Sequence, residues 1–276
     1  MRIGQVETYK KSNLWGKLGF VPRLLFSRLV WPALRGFMPQ KLVKHVGPYE
    51  LTLDGKKLTH FLRYVDLWEP SYRRSMMQHV SPGSKVLELG SAYGYFTLLL
   101  INRVGPNGVV IAVEPFPPYY RDLVQLKDSN AISNLDLLNA GIGDSSTKFF
   151  EFGVEDPNPY RGLQNVNPMR SNIEASMLAR PEPSAVRIRV PALTLPDLLS
   201  MKGFCPDYIV MDIEGAELFV IEQLLHTNLR PSLLFEVHPF FIGESEVTRC
   251  LRMLREAEYT LEQIDEHHFI AVHAKA

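Results

Sequence analysis

Lys85-Val86-Leu87-Glu88-Leu89-Gly90-Ser91-Ala92-Tyr93-Gly94-Tyr95-Phe96 reads as a short buried strand, a glycine turn and the start of a helix. Five residues of mostly apolar character are too few for a helix but enough for a strand inside a sheet. Gly90 ends the run, because a residue without Cβ adopts backbone angles closed to others and lets a ligand lie against the chain. Gly94 lets the helix that follows pack closely. That helix runs over Tyr95–Val104 and stops at Gly105-Pro106-Asn107-Gly108.

Working outward, the same alternation repeats. Residues 109–113, 135–139, 208–211 and 233–237 read as strands, and 119–129, 216–225 and 246–257 as helices. The end reads as a hairpin, 260–264 and 269–273, around Asp265-Glu266-His267-His268. Strands alternating with helices make βαβ units and a mostly parallel sheet, to which the hairpin adds an antiparallel strand. Residues 153–185 are rich in Pro, Asn, Ser and Arg and interrupt the alternation, as a variable loop or lid does.

The 276 residues, 46% hydrophobic, suffice for one sizeable core with an additional segment. We expect a basic N-terminal helical segment over 1–55 and a catalytic domain over 56–276. Residues 1–50 hold nine Lys or Arg against Glu7 and Glu50, a net +7 in a chain of zero formal charge. That neutral total carries no nucleic-acid signature, whereas the basic head suggests a membrane-peripheral or protein contact. The apolar stretch 20–38 is interrupted by Pro22, Arg23, Arg28, Pro32 and Arg35, which suits docking on a surface better than spanning a bilayer. Cys205 and Cys250 lack metal-type spacing and imply a reducing, cytoplasmic setting.

Parallel sheets bind ligands beyond the carboxyl ends of their strands. The glycine turn lacks the full G-x-G-x-x-G, which argues against a nicotinamide or flavin enzyme. Glu114, in Ala112-Val113-Glu114-Pro115, closes the second strand about twenty residues after the turn, where a carboxylate can accept both hydroxyls of a ribose. Asn139-Ala140, with Asp144 nearby, reads either as the wall of an adenine pocket or as turn chemistry.

A second polar group follows strands four and five: Asp212-Ile213-Glu214-Gly215-Ala216-Glu217 and Glu236-Val237-His238-Pro239. Side chains two apart on an extended strand share a face, so Asp212 pairs with Glu214, and Glu236 with His238. Carboxylates rarely sit at buried strand ends without partners. Glu217 has a simpler reading, an acid offsetting the dipole of a helix start, and His238 can be read as a core histidine. As a site, the cluster offers a general base in His238 or a neighbouring carboxylate. Alternatively, Asp212, Glu214 and Glu236 hold a divalent cation that acidifies a hydroxyl.

Together these segments resemble the FkbM family of methyltransferases. The likeness rests on Trp68-Glu69-Pro70, Leu89-Gly90-Ser91-Ala92-Tyr93-Gly94-Tyr95-Phe96-Thr97, Glu114-Pro115, Asn139-Ala140-Gly141-Ile142-Gly143-Asp144, and the D-x-E-G-x-E run at 212–217 ahead of Glu236-Val237-His238. It departs at Glu88, where the family more often has Asp, and at Leu195-Pro196-Asp197, where the family's usual acid is displaced by one. The resemblance implies a Rossmann-like class I fold with a seven-stranded sheet and helices on both faces. It also implies S-adenosylmethionine and O-methylation of sugars, polyketides or related hydroxyl compounds. Cofactor contacts then fall to Glu88, Gly90, Ser91, Tyr93, Gly94, Glu114, Pro115, Asn139, Ala140 and Asp144, and catalysis to Asp212, Glu214, Glu236 and His238. N- or carboxyl-methylation and a non-catalytic partner subunit are the competing readings.

Overall fold

The computed structural model describes residues 30–55, 57–154, 186–213 and 215–274. The chain divides into two compact units, residues 1–44 with 52–69, and residues 45–51 with 70–276.

The first unit holds helix α1 (Trp31–Phe37), helix α2 (Leu58–Tyr64) and the open end of a hairpin, β1 (Lys41–Val46) and β2 (Tyr49–Asp54), whose residues 45–51 belong to the second unit. Residues 41–54 are therefore strands where a helical segment was expected. The reason is a period of two: Leu42, Lys44 and Val46 are buried and the residues between them exposed. The Trp31 ring packs 5.3 Å from that of Phe61. Lys44 is buried, and its ammonium meets Asp66 at 2.9 Å and the Tyr64 carbonyl at 3.1 Å. Residues 1–29 of the expected N-terminal segment lie outside the described residues.

The second unit is built on a seven-stranded sheet. Its members are β3 (Lys85–Leu89), β4 (Val109–Val113), β5 (Leu135–Leu138), β9 (Tyr208–Met211), β10 (Ser232–Glu236), β11 (Tyr259–Gln263) and β12 (His268–His273), in spatial order β11-β12-β10-β9-β3-β4-β5. The pairs β3–β4, β4–β5, β3–β9 and β9–β10 are parallel, whereas β12 enters antiparallel between β10 and β11. The strand order reverses between β3 and β9, which makes a crevice at the carboxyl ends of those two strands.

Alternation along each strand sorts the core into two faces. Leu87, Leu89, Ile111, Val113, Ile209, Met211, Leu233 and Phe235 point one way. They pack under helices α6 (Leu195–Lys202), α7 (Glu217–Leu225) and α9 (Glu244–Glu256), the last following a single turn, α8 (Pro239–Ile242). Val86, Glu88, Val110, Ala112, Val210 and Leu234 point the other way and are also buried. There α3 (Pro70–His79) and α4 (Tyr95–Val104) lie, as the contacts of Tyr72 with Leu234 and of Thr97 with Glu88 show. Helix α5 (Pro117–Ser129) is held to α4 through Gly94, where a Cβ would come within 2.5 Å of Leu126. Each fully buried aliphatic side chain contributes about 1.5–3 kcal/mol, so neither face could be exposed without unfolding the unit.

Three strands outside this sheet are additions that the alternation of 84–273 does not announce. β6 (Gly141–Ile142) pairs parallel with β8 (Val186–Leu193), and β7 (Phe149–Val154) pairs antiparallel with β8, from Phe149 opposite Pro191 to Val154 opposite Val186. The expected loop or lid over 153–185 thus begins at the end of a two-stranded ribbon. Residues 155–185 lie outside the described residues.

Candidate active site

The glycine turn is fixed by backbone contact. Gly90 sits at φ +84°, and a Cβ there would lie 1.9 Å from the Asp212 carbonyl oxygen and 3.1 Å from Ile213. Gly90 is therefore required first of all by the approach of the β9 end to the β3 end. Glu88, one turn of the pleat earlier, points to the α4 side and accepts from the Thr97 hydroxyl at 2.6 Å. Burial pushes its carboxyl up to about 7, against the pull of the Thr97 and Ser91 hydrogen bonds. Ser91 is buried and lies against the Val113 carbonyl. Tyr93 packs edge-on against Tyr119 at 6.1 Å.

Glu114 closes β4 beside this turn and is only 5% exposed. Its Oε2 accepts from the Ala92 N–H and its Oε1 from the Phe116 N–H, both at 2.8 Å. Burial raises the Glu114 carboxyl to about 7, opposed by those two N–H groups and reinforced by the charge of Glu88. Each carboxylate oxygen keeps a second lone pair, so the group is oriented and still able to accept a pair of hydroxyls. The residues thus suit a nucleoside cofactor: a carboxylate fixed by two backbone donors, beside a turn that opens on a glycine.

Asn139 donates from its amide to the carbonyls of Glu114 (2.8 Å) and Pro115 (3.0 Å), so it shapes the loop that presents Glu114. Ala140 is buried next to it. Asp144 is exposed, and its Oδ1 accepts from the backbone and hydroxyls of Ser146 and Thr147. Those hydrogen bonds hold its carboxyl down at about 2. Turn chemistry accounts for every contact described at Asp144.

At the neighbouring strand ends the structure brings Asp212, Glu236 and His238 together. His238 Nε2 lies 3.4 Å from Asp212 Oδ1 and 3.8 Å from Glu236 Oε1. Ligand atoms of these three residues all fall within 4.8 Å of one another, a set able to receive a divalent cation. Glu214 lies outside the described residues. The other imidazole nitrogen, Nδ1, meets Glu217 Oε1 at 2.9 Å, and Glu217 is 1% exposed. The same Glu217 oxygen accepts from the Ile213 N–H at 3.2 Å. Burial pulls the imidazole down, but the Glu217 hydrogen bond and the charges of Glu217, Asp212 and Glu236 override it and raise His238 to about 9.

Glu217 is thus placed against the imidazole as well as at the start of a helix. The D-x-E-G-x-E spacing was the signal: a first-turn side chain points back toward the helix N-terminus, where His238 stands. A second pair lies behind Glu236. His268 Nε2 is 3.5 Å from Glu236 Oε2, and its Nδ1 is 2.8 Å from Asp265 Oδ1. Burial lowers His268, yet Asp265 and Glu236 together raise it to about 10. Burial would raise Glu236, but His268, His238 and His267 keep it below its usual range. His268 is the cross-strand partner of Glu236 in the β10–β12 register, a relationship visible only once the hairpin is paired.

The strand order and the glycine turn make a Rossmann-like α/β fold with its crevice at the carboxyl ends of β3 and β9. The model of the methyltransferase FkbM domain matches residues 88–261, and the chain belongs to that family. A shorter likeness, 36% identity over 55 residues, is to a protein-L-isoaspartate O-methyltransferase of Caenorhabditis elegans; it spans 20% of this chain and 23% of that protein. Among solved structures, fibrillarin of Aeropyrum pernix with natively bound S-adenosylmethionine is 15% identical, with 69% and 66% of the two chains covered and a TM-score of 0.41. The fibrillarin pre-rRNA processing protein of Methanococcus jannaschii is 12% identical, with coverage of 84% and 82% and a TM-score of 0.45. A precorrin-6y C5,15-methyltransferase of Geobacter metallireducens is 10% identical, with coverage of 73% and 87% and a TM-score of 0.42.

Proposed function

We propose that this methyltransferase acts on a hydroxyl oxygen of a sugar, glycan or other small hydroxylated molecule, with His238 as the general base. The carrying observation is the orientation of His238: Nδ1 is held by buried Glu217, and Nε2 stands between Asp212 and Glu236 at the carboxyl ends of β9 and β10. S-adenosylmethionine, when bound, supplies a methyl carbon on a positively charged sulfur. A hydroxyl is a poor nucleophile until its proton is taken, and a positioned imidazole is the usual acceptor. His238 must first shed the proton that the carboxylates hold on Nε2. A positive charge set against Asp212 and Glu236 weakens that hold, so cofactor binding favours the basic form. Glu114 and the Gly90 turn hold the nucleoside, Asp212 and Glu236 balance the positive charge, and Glu217 fixes the imidazole ring.

The test is transfer of labelled methyl from S-adenosylmethionine to extracted glycans and small molecules, with the chemical linkage read by mass spectrometry and mild base. A base-stable O-methyl product that disappears in His238→Ala supports the reading. A base-labile ester, an N-methyl product or undiminished transfer by His238→Ala overturns it. Repeating the assay after chelation separates the base from a cation at Asp212, Glu236 and His238, because only the cation mechanism loses activity.

We also propose that the first unit meets an anionic lipid surface. Val30, Leu34 and Phe37 fall at i, i+4 and i+7 and are exposed, Phe37 at 91%. The net +7 of residues 1–50 complements anionic headgroups, each Lys or Arg near such a surface contributing about 1 kcal/mol. No helix among the described residues is long and apolar enough to cross a membrane.

A further inference from the structure

Five side chains stand in a row in which acids and imidazoles alternate. Asp265 Oδ1 meets His268 Nδ1 (2.8 Å), His268 Nε2 meets Glu236 Oε2 (3.5 Å), Glu236 Oε1 faces His238 Nε2 (3.8 Å), and His238 Nδ1 meets Glu217 Oε1 (2.9 Å). Each inner member is thus divided between two neighbours, one atom apiece. Glu236 gives one oxygen to each histidine, and His238 Nε2 is shared between Glu236 and Asp212, whose Oδ1 lies 3.4 Å away.

The row is anchored beyond the site. Asp265 Oδ1 also accepts from the N–H groups of His267 and His268, both at 3.1 Å, so the turn before β12 holds the carboxylate in place. The Tyr72 ring stacks on the His268 imidazole with centroids 4.3 Å apart, and its hydroxyl donates to the Leu234 carbonyl at 3.3 Å. Glu236 and His268 are directly paired across β10 and β12. His268 is therefore fixed from three sides, by a turn, a ring and a strand register.

A carboxylate with one oxygen held in an ion-pair contact, here Glu236 Oε2 at 3.5 Å from His268 Nε2, has its rotation about χ3 restricted, and the other oxygen is aimed by default. We propose that Asp265 and His268 are positioning residues: His268, clamped by Asp265, holds Glu236 Oε2 so that Glu236 Oε1 is presented to His238. The inference rests on the reading of His238 as the working group of the site and deepens it by one layer. Neither outer residue reaches the reacting atoms; both act through Glu236. A non-positioning alternative is that His268 merely fills space beneath Tyr72, in which case its imidazole and its clamp are dispensable.

The experiment is a coupling cycle read on His238 itself, with no acceptor needed. Protein carrying 15N-histidine is prepared as wild type, His268→Asn, Glu236→Gln and the double variant, and the His238 ring nitrogens are followed by NMR at one pH. The expected result is a displaced His238 resonance pair in His268→Asn and no further displacement when Glu236 is already Gln. Equal displacement in both backgrounds, or none in either, overturns the proposal. Asp265→Asn gives the second arm, since it keeps the imidazole and removes only its clamp; it should displace His238 in the same direction as His268→Asn, and an unmoved His238 there counts against the proposal. Failure of the O-methylation reading would show instead as undiminished methyl transfer by His238→Ala, which this cycle does not measure.

Discussion

His238 Nδ1 lies 2.9 Å from Glu217 Oε1, and Glu217 is almost wholly buried. A buried carboxylate facing one imidazole nitrogen leaves the other nitrogen to do work, as the orienting acid does in hydrolytic triads. Replacing Glu217 by Ala strands that nitrogen. The variant should lose about 1–3 kcal/mol of stability in urea titration. Methyl transfer should slow on the order of tenfold to a hundredfold, with S-adenosylmethionine affinity within about twofold of wild type. Wild-type turnover in a folded Glu217→Ala protein would show that the pairing is only structural.

Glu114→Ala removes the acceptor of the Ala92 and Phe116 N–H groups together with the proposed ribose contact. Calorimetry should show S-adenosylmethionine binding weakened at least about tenfold, equivalent to about 1.4 kcal/mol. Unchanged affinity would remove Glu114 from the site.

The raised histidines set a pH dependence of stability. His238 goes from 6.5 to about 9 on folding and His268 from 6.5 to about 10. The folded state therefore holds these protons more tightly. The stabilisation is complete below about 6.5 and is lost as pH climbs through about 9 for His238 and about 10 for His268. Urea midpoints of wild type and His238→Asn should differ most below 6.5, and the gap should narrow as pH passes about 9. Glu88 and Glu114, both raised to about 7 by burial, act oppositely to an ordinary carboxylate: stability falls as pH rises from about 4.5 to about 7 and stays lower above it. They are common to both proteins and cancel in the comparison. A gap that stays constant with pH would mean that His238 is not held as an imidazolium.

Gly90→Ala places a methyl group 1.9 Å from the Asp212 carbonyl at a φ of +84°. The backbone conformation alone costs about 1–3 kcal/mol, and relief of the clash must move Asp212. Thermal unfolding should fall, and cofactor affinity and methyl transfer should fall together. A variant with wild-type melting and binding would show that the two strand ends are free to separate.

Flotation with vesicles tests the first unit. Phosphatidylcholine mixed with phosphatidylglycerol should carry the protein upward, phosphatidylcholine alone should not, and added salt should release it. Phe37→Asp with Leu34→Asp should abolish the association. Binding that ignores lipid charge, or survives those substitutions, would exclude this surface.

The parallel sheet was legible because its strands are short apolar runs separated by helical ones, and β3, β4, β9, β10 and the final hairpin fall within a residue or two of their expected places. The hairpin of residues 41–54 was hidden by charge: Lys41, Lys44 and Glu50 mask the alternation, and Lys44 is buried only because Asp66 and a carbonyl receive it. Among candidate site residues, the convergence of Asp212, Glu236 and His238 was readable from the two-residue spacing at strand ends, which decides a shared face. Glu217 was ambiguous, since a first-turn acid satisfies the helix dipole whether or not a histidine stands before it. His268 and Asp265 gave no local sign. The meeting of His268 with Glu236 depends on the antiparallel entry of β12, a long-range fact that no window of sequence contains.

The ribbon of β7 and β8 joins the chain between β5 and β9 without contributing a strand to the main sheet. Its pairings are thus separate from the register that aligns Glu114, Asp212 and Glu236. A protein engineer can therefore alter that ribbon first and leave the strand pairings behind Glu114, Asp212 and Glu236 as they are.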